Sequence, residues 1–190
     1  MNRDALIAAL EKQERDSVAY WDAFDVDAFF ANIGESWSPS DTVRHLIKSV
    51  RPVGKALTIP KILLWAKFGT SRRPAESYDA LVTRYRGLLA DGGKAGAFAP
   101  SSREEADRNA WRASIMREFA TVNRDLRAAI AKWSDAKLDR YQLPHPLLGK
   151  LSVREMLYFT LYHLRHHIEV VERNRRELTG TATASAPPAG

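Results

Sequence analysis

The sequence contains no cysteine among its 190 residues. Disulfide bonds, thiolate metal sites and a cysteine nucleophile are therefore excluded, because each of them needs a thiol. The sequence also lacks any apolar run that approaches the roughly 20 residues of a membrane-spanning helix. Its N-terminal stretch turns polar too early to be a signal peptide. We therefore expect a cytoplasmic protein without a transmembrane segment.

Several motifs that identify enzyme classes are also missing. The sequence has no glycine-rich phosphate loop, no G-x-S-x-G nucleophile elbow and no H-E-x-x-H zinc motif. Apolar and polar residues nowhere alternate with the period of two that marks a strand. Alanine, leucine, arginine and glutamate, which favour helices, dominate the composition. The sequence therefore predicts an all-α fold.

Apolar spacing and capping residues predict four long helices. The first spans about residues 4–24, and the second begins after Ser38. Ser38 is a good N-cap, because Pro39 fits the first helical position and Asp41 completes a capping box. The fourth begins after Ser152, which pairs with Glu155 in the same kind of box and opens a helix that runs to about residue 178.

The third helix is predicted from the longest apolar stripe. Ser101 or Ser102 is the expected N-cap, because a glutamate follows each of them three residues later. The stripe recurs every three or four residues, as one face of a helix does. It consists of Ile115, Phe119, Val122, Leu126, Ile130 and Trp133.

Two shorter helical pieces, at about residues 58–68 and 75–89, lie between the second and third helices. The simplest arrangement is a four-helix bundle with a helical insertion, because each long helix has one apolar stripe to bury. We expect a single domain over residues 1–178. Residues 179–190 carry almost nothing apolar to bury, so we expect a disordered tail there.

The net charge of +6 comes from one segment, residues 44–73, which holds eight basic and no acidic residues. A solvated basic face is the ordinary interpretation of such a segment. The alternatives are contact with an anionic substrate, for which Arg51 and Lys55 are candidates, or with nucleic acid or lipid. The apolar and basic stretch at 59–68 is a candidate membrane-surface or partner helix, although more often such a stretch covers a core.

Three of the five histidines fall within the stretch YHLRHHIE at residues 162–169. At about 100° per residue on a helix, His163 and His167 share a row beside the apolar face, whereas His166 lies on the polar flank. Two imidazoles four residues apart can reach one metal ion, but a third ligand must come from elsewhere. His145 and His45 are the candidates. The ordinary alternative is a pair of core histidines with hydrogen-bond partners.

His45 precedes Leu46 of the second helix's apolar row, so it too should point at or near the interior. Together with His163 and His167 it would form a three-histidine site with open positions for water or substrate. Such open positions are typical of catalytic metal sites rather than of structural ones.

Three segments resemble the DinB/YfiT-like superfamily of metal-dependent four-helix bundle proteins. They are WSPSDTVRHL at residues 37–46, HPLLGKLSVRE at 145–155 and YFTLYHLRHH at 158–167. Each segment is weak evidence by itself, but the combination is characteristic. The resemblance spans about residues 37–171, but the stretch between the first segment and the other two contributes little to it.

The resemblance implies helices in up-down-down-up order and metal ligands at His45, His163 and His167. It implies a divalent ion, with zinc or nickel the usual candidates, and often a homodimer. Characterised relatives include transferases and isomerases that use low-molecular-weight thiols. Members commonly carry glutamine three residues after the last histidine, where this sequence has Val170.

We therefore expect a metal-dependent transferase or hydrolase that activates a thiol or a water for a small-molecule substrate. One alternative is a non-catalytic bundle whose histidine site is structural or vestigial. Another is a protein that binds an anionic surface or nucleic acid through the basic 44–73 segment, although no known nucleic-acid-binding motif is present.

Overall fold

The computed structural model describes residues 1–93, 96–100 and 105–184. Within these residues the chain is mainly helical, as predicted, and a 3₁₀ turn at Gly96–Phe98 precedes the third long helix. In chain order the helices are α1 (Arg3–Asp22), α2 (Val26–Phe30), α3 (Pro39–Thr58), α4 (Lys61–Phe68), α5 (Tyr78–Ala90), α6 (Arg108–Ile130), α7 (Asp135–Arg140) and α8 (Val153–Ala184).

Contacts near the helix ends show that α3 and α6 run parallel. At their C-terminal ends, the indole nitrogen of Trp133 donates to the carbonyl of Leu57 at 3.0 Å. At their N-terminal ends, the guanidinium of Arg44 lies 5.8 Å from the ring centre of Trp111. Two neighbouring parallel helices need a long connection between the end of one and the start of the next. Residues 59–107 form this connection, and the helical insertion lies within it.

Helices α1 and α8 complete the bundle. The end of α1 meets the start of α6, because Arg112 donates to the carbonyl of Trp21 at 3.3 Å, so these two helices are antiparallel. Helix α8 runs parallel to α1, since Arg154 reaches the carbonyl of Met1 while Arg175 stacks on Phe24. The four long helices therefore form a bundle in up-down-down-up order.

The apolar stripe of the third helix is buried as predicted. The exposed fractions of its six side chains lie between 0% and 7%. They pack with buried residues of α3 and α8, among them Leu46 and Leu157. The helix itself begins at Arg108 after the N-cap Asp107, and the predicted caps Ser101 and Ser102 lie outside the described residues.

The predicted all-α fold class is confirmed, and within the described residues the structure adds one small two-stranded sheet that no sequence pattern indicated. Strands β1 (Gln142–His145) and β2 (Gly149–Ser152) pair antiparallel and lead directly into α8. Each strand has only four residues and β1 contains Pro144, so no alternation marks them in the sequence. Burial of Leu143 and Leu151 against the helices stabilises the hairpin instead.

The insertion is helical where the sequence predicts it, with α4 and α5 at the two expected positions. The short helices α2 and α7 were not predicted. Helix α8 continues to Ala184, six residues beyond its predicted end, and residues 185–190 lie outside the described residues. The domain boundary at residue 178 stays a prediction. None of the helices in the described ranges has the length and apolar character needed to cross a bilayer.

Ser38 begins α3 as predicted, and this cap offers a test of the fold. Its Oγ accepts a hydrogen bond from the backbone N–H of Asp41 at 3.0 Å, and the side chain is 1% exposed. The substitution Ser38→Ala should lower the free energy of unfolding by about 1–2 kcal/mol, because a first-turn N–H loses its partner. Urea denaturation measures this loss.

Ser134 offers a matched control, because it occupies the N-cap of α7 without a side-chain capping bond. Ser134→Ala should therefore change the free energy of unfolding by less than about 0.5 kcal/mol. Equal losses in the two variants would contradict the capping role of Ser38.

Candidate metal centre

Three histidine side chains converge inside the bundle, one from α3 and two from α8. His45 and His163 approach each other with 3.2 Å between their Nε2 atoms, and 3.0 Å separates the Nε2 atoms of His163 and His167. One nitrogen from each of the three residues lies within 4.8 Å of the other two. His45 and His163 are buried and His167 is partly buried. We call these three residues the triad.

A backbone carbonyl fixes the orientation of His45. Its Nδ1 lies 2.8 Å from the carbonyl oxygen of Phe98, in the 3₁₀ turn before α6. Because a carbonyl only accepts, Nδ1 carries the proton and Nε2 presents a lone pair to the other two imidazoles. The sequence contained no signal for this contact, since the acceptor is a main-chain atom.

Burial keeps the triad neutral. It lowers the pKa of His45, whose bond to the Phe98 carbonyl opposes the shift. Burial lowers the pKa of His163 and of His167 well below the ordinary value, and the neighbouring imidazoles add to both shifts. Neutral imidazoles have the free lone pair that a metal ion requires.

The arrangement of these nitrogens fits a bound cation. The Nε2 atom of His163 lies within hydrogen-bonding distance of two other ring nitrogens. A ring nitrogen carries either a proton or a lone pair, so it cannot donate to one neighbour and accept from the other. A cation satisfies three lone pairs together. The spacing is also close to the roughly 3.3 Å between two nitrogen ligands of a tetrahedral zinc ion with bonds of about 2.0 Å.

His145, the other candidate for the third ligand, has a different role. Its Nδ1 accepts hydrogen bonds from the backbone N–H groups of Leu147 and Leu148, at 3.1 and 3.0 Å. Burial, with a smaller contribution from Arg84, lowers its pKa to about 4. The neutral ring therefore stabilises the hairpin turn, and its Nδ1 lone pair is occupied.

His166 is less exposed than its predicted place on the polar flank implies. It is partly buried, its Nδ1 lies 3.4 Å from the hydroxyl of Tyr162, and its ring lies beside that of His167. It lines the cavity next to the triad without belonging to the triad.

Trp37 covers the triad from the loop before α3. Its ring stacks on His167 with an interplanar angle of 11° and lies 5.2 Å from the ring of His45. No role of its own was predicted for this residue from the sequence. Its position at the start of the WSPSDTVRHL segment is the signal that could have indicated one.

A cavity of about 500 Å³ extends from the triad. Its walls come from α3, α5, α8 and the β1–β2 hairpin, and most of the side chains are apolar. No aspartate or glutamate lines it in the part of the chain that the structure describes. Lys55 lines the cavity, whereas Arg51 forms an ion pair with Glu118 elsewhere on the surface.

The basic 44–73 segment is not a continuous array of free cations. Most of its basic side chains contact groups within the protein. These contacts are Arg44 with Asp41, Arg51 with Glu118, Arg73 with Glu155, Lys48 with the carbonyl of Ala99, and Lys61 with the ring of Trp133. Helix α4 does expose the apolar side chains of Ile62, Leu63 and Trp65.

Comparisons with known proteins agree with this description of the fold. A solved structure described as TT2238, a four-helix bundle protein, superposes with a TM-score of 0.55 at 14% sequence identity, covering 90% of this chain and 98% of that one. At this identity the similarity shows the fold alone. No curated protein matches the chain. The family model described as the DinB superfamily matches residues 9–171, which is most of the sequence, and the chain therefore belongs to the DinB superfamily.

Proposed function

We propose that this protein binds a divalent metal ion, zinc or nickel, through His45, His163 and His167. The observation that carries the proposal is the convergence of three neutral imidazole nitrogens in the bundle interior. Imidazole ligands suit both ions. Membership of the DinB superfamily is compatible with such a site.

The protein is then a metal-dependent transferase or hydrolase that acts on a small molecule. A divalent ion supplies a Lewis acid that lowers the pKa of a water or a thiol. The three neutral imidazoles of the triad would bind this ion, and the carbonyl of Phe98 fixes the tautomer of His45. The walls of the adjoining cavity are mostly apolar. Because the described lining provides no carboxylate, the site favours an anionic ligand such as the thiolate of a low-molecular-weight thiol.

A non-catalytic bundle with a structural or vestigial histidine site is the alternative. Binding of an anionic surface or nucleic acid through the 44–73 segment has less support, because most of its cations contact partners inside the protein. Residence in the cytoplasm and a homodimeric state stay predictions.

Elemental analysis after incubation with zinc or nickel tests the proposed site. Wild-type protein should retain about one ion per chain after removal of free metal. The His163→Ala variant should retain almost none, because its Nε2 atom contacts both other ligands. Inductively coupled plasma mass spectrometry measures the occupancy.

His166→Ala provides the matched control, because it removes a histidine from the same helix that lies outside the triad. This variant should retain the wild-type occupancy. The proposal would be contradicted by negligible metal in the wild-type protein, or by equal metal occupancy in the wild type and the His163→Ala variant.

A further inference from the structure

Tyr85 lines the cavity that adjoins the triad, and its hydroxyl group has no hydrogen-bond partner among the described residues. The residue is 6% exposed. Its ring is held by edge contacts with Phe159 and Tyr162, at centroid distances of 5.0 and 6.0 Å. Unlike the hydroxyl of Tyr20, which is fully buried without a partner, the hydroxyl of Tyr85 is not closed off from its surroundings, so this group is available to a ligand in the cavity.

The environment of Tyr85 makes it a donor. Burial raises the pKa of its hydroxyl to about 12, so the group keeps its proton at neutral pH. Its ring lies 6.2 Å from that of His166, which in turn lies 5.3 Å from the ring of His167. Tyr85 therefore lines the part of the cavity that adjoins the triad.

The rest of the cavity is mostly apolar and elongated. On α3 the lining residues recur on one face from His45 through Pro52 and Val53 to Ala56, an axial distance of about 16 Å at 1.5 Å per residue. Leu143 of the hairpin is among the side chains on the other walls. A ligand that fills this space must have an apolar body.

The described lining of the cavity has no carboxylate that would repel an anion, and a divalent ion held by the triad would attract one. Lys55 also lines the cavity, but it stands about 15 Å along α3 from His45 and is therefore not part of the site of the head. We propose that the cavity binds an amphipathic monoanion, with its anionic head between the triad and the Tyr85 hydroxyl and its apolar body along α3. The position of the head rests on the proposed metal site, whereas the position of the body does not.

Calorimetric titrations of zinc-loaded and metal-free protein with decanoate, butanoate and decanol test this proposal. Decanoate should bind at least about a hundredfold more tightly than butanoate, because each buried methylene adds a several-fold gain in affinity. In the zinc-loaded protein it should also bind more tightly than decanol, which has no charge. Equal affinities for decanoate and butanoate would overturn the proposal.

The substitution Tyr85→Phe tests the contribution of the hydroxyl alone, because it keeps the ring that contacts Phe159. Decanoate affinity should fall about tenfold, as expected for the loss of a hydrogen bond to a charged group, while decanol affinity should change by less than about threefold. Tyr78→Phe is the control, since Tyr78 lies on the same helix outside the cavity lining. Equal effects of the two substitutions would contradict the role of Tyr85.

Ala56→Trp tests the position of the apolar body by filling that part of the cavity. Decanoate binding should fall at least about tenfold, because the indole occupies space that the chain needs. Ala113→Trp is the control, since Ala113 is exposed on α6. Unchanged decanoate affinity in the Ala56→Trp variant would contradict the proposed position.

These titrations separate the cavity from the metal site. If decanoate binds and depends on Ala56 and Tyr85 while no metal is retained, the apolar site is supported and the metal site is contradicted. If metal is retained but decanoate binds neither the zinc-loaded nor the metal-free protein, the cavity proposal is overturned and the metal site stands.

Discussion

Replacing Glu155 by glutamine is expected to destabilise the fold by about 3 kcal/mol. The carboxylate side chain is 0% exposed, and it accepts hydrogen bonds from the backbone N–H groups of Glu76 and Ser152 at 2.8 and 2.7 Å. Arg73 donates two further bonds to it. In glutamine one of the two acceptors becomes an NH₂ group that faces these donors, so several bonds are lost together.

Urea denaturation measures this loss, and an exposed position on the same helix supplies the control. Glu172→Gln removes the same charge from the surface of α8 and should change the free energy of unfolding by less than about 0.5 kcal/mol. Similar values for the two variants would show that Glu155 does not join the insertion to the start of α8.

The same carboxylate predicts a pH dependence. Burial raises the pKa of Glu155, but the bonds from Glu76, Arg73 and Ser152 outweigh burial and lower the pKa below its ordinary value. The contribution to stability is therefore complete above the ordinary glutamate pKa of about 4.3 and disappears as the pH falls through the lower folded-state pKa. The difference in stability between wild type and Glu155→Gln should shrink over that acidic range.

Glu155 also shows which parts of the fold can be predicted from sequence. Its capping box with Ser152 was predicted, because the motif lies within four residues and its bonds are local. Its pairing with Arg73 was not, because 82 residues separate the two and nothing local marks the contact. The long helices follow the same rule, since their apolar periods and caps are local signals.

The hairpin was missed for a related reason. Four-residue strands have no measurable period, and Pro144 argues against a strand when it is seen without its context. The hairpin depends on burial of Leu143 and Leu151 by helices that lie before and after it in the chain. Residue propensities do not predict short elements that are stabilised mainly by tertiary contacts.

The candidate site was predicted in part. The spacing of His163 and His167 indicated a pair on one face. The position of His45 beside Leu46 made it a candidate for the third ligand, and the resemblance to a known family implied the same residue. The contact of His45 with the carbonyl of Phe98 could not be predicted from the sequence, because every residue has a backbone carbonyl. Tyr85 was also missed, since a tyrosine on an amphipathic helix normally indicates core packing, and only the structure shows that this residue lines the cavity.

Zinc at about a hundred times its Kd is expected to raise the Tm of the wild-type protein by roughly 5–10 °C. An ion that binds only the folded state adds its binding free energy to that of folding. The protein treated with chelator should nevertheless stay folded, because buried residues such as Phe119 and Leu157 pack without involving the triad. Differential scanning calorimetry with and without chelator measures both effects.

His45→Ala is the decisive variant for this experiment. It removes the one triad ligand that α3 supplies and leaves the pair on α8 intact. A bare pair of imidazoles holds zinc much more weakly than three ligands do, so the zinc-dependent rise in Tm should vanish at the same zinc concentration. His166→Ala should keep the full rise, because His166 is no part of the triad.

The behaviour of the chelated protein distinguishes a catalytic from a structural site. A structural ion holds the fold together, so its removal should unfold the chain, as it does in small metal-dependent domains. Here the four helices bury a continuous apolar core, and the triad is open to a cavity on one side. Cooperative unfolding of the chelated protein, with wild-type helical content, would therefore favour a site whose ion acts on a ligand. Loss of helical structure on chelation would instead support the structural alternative.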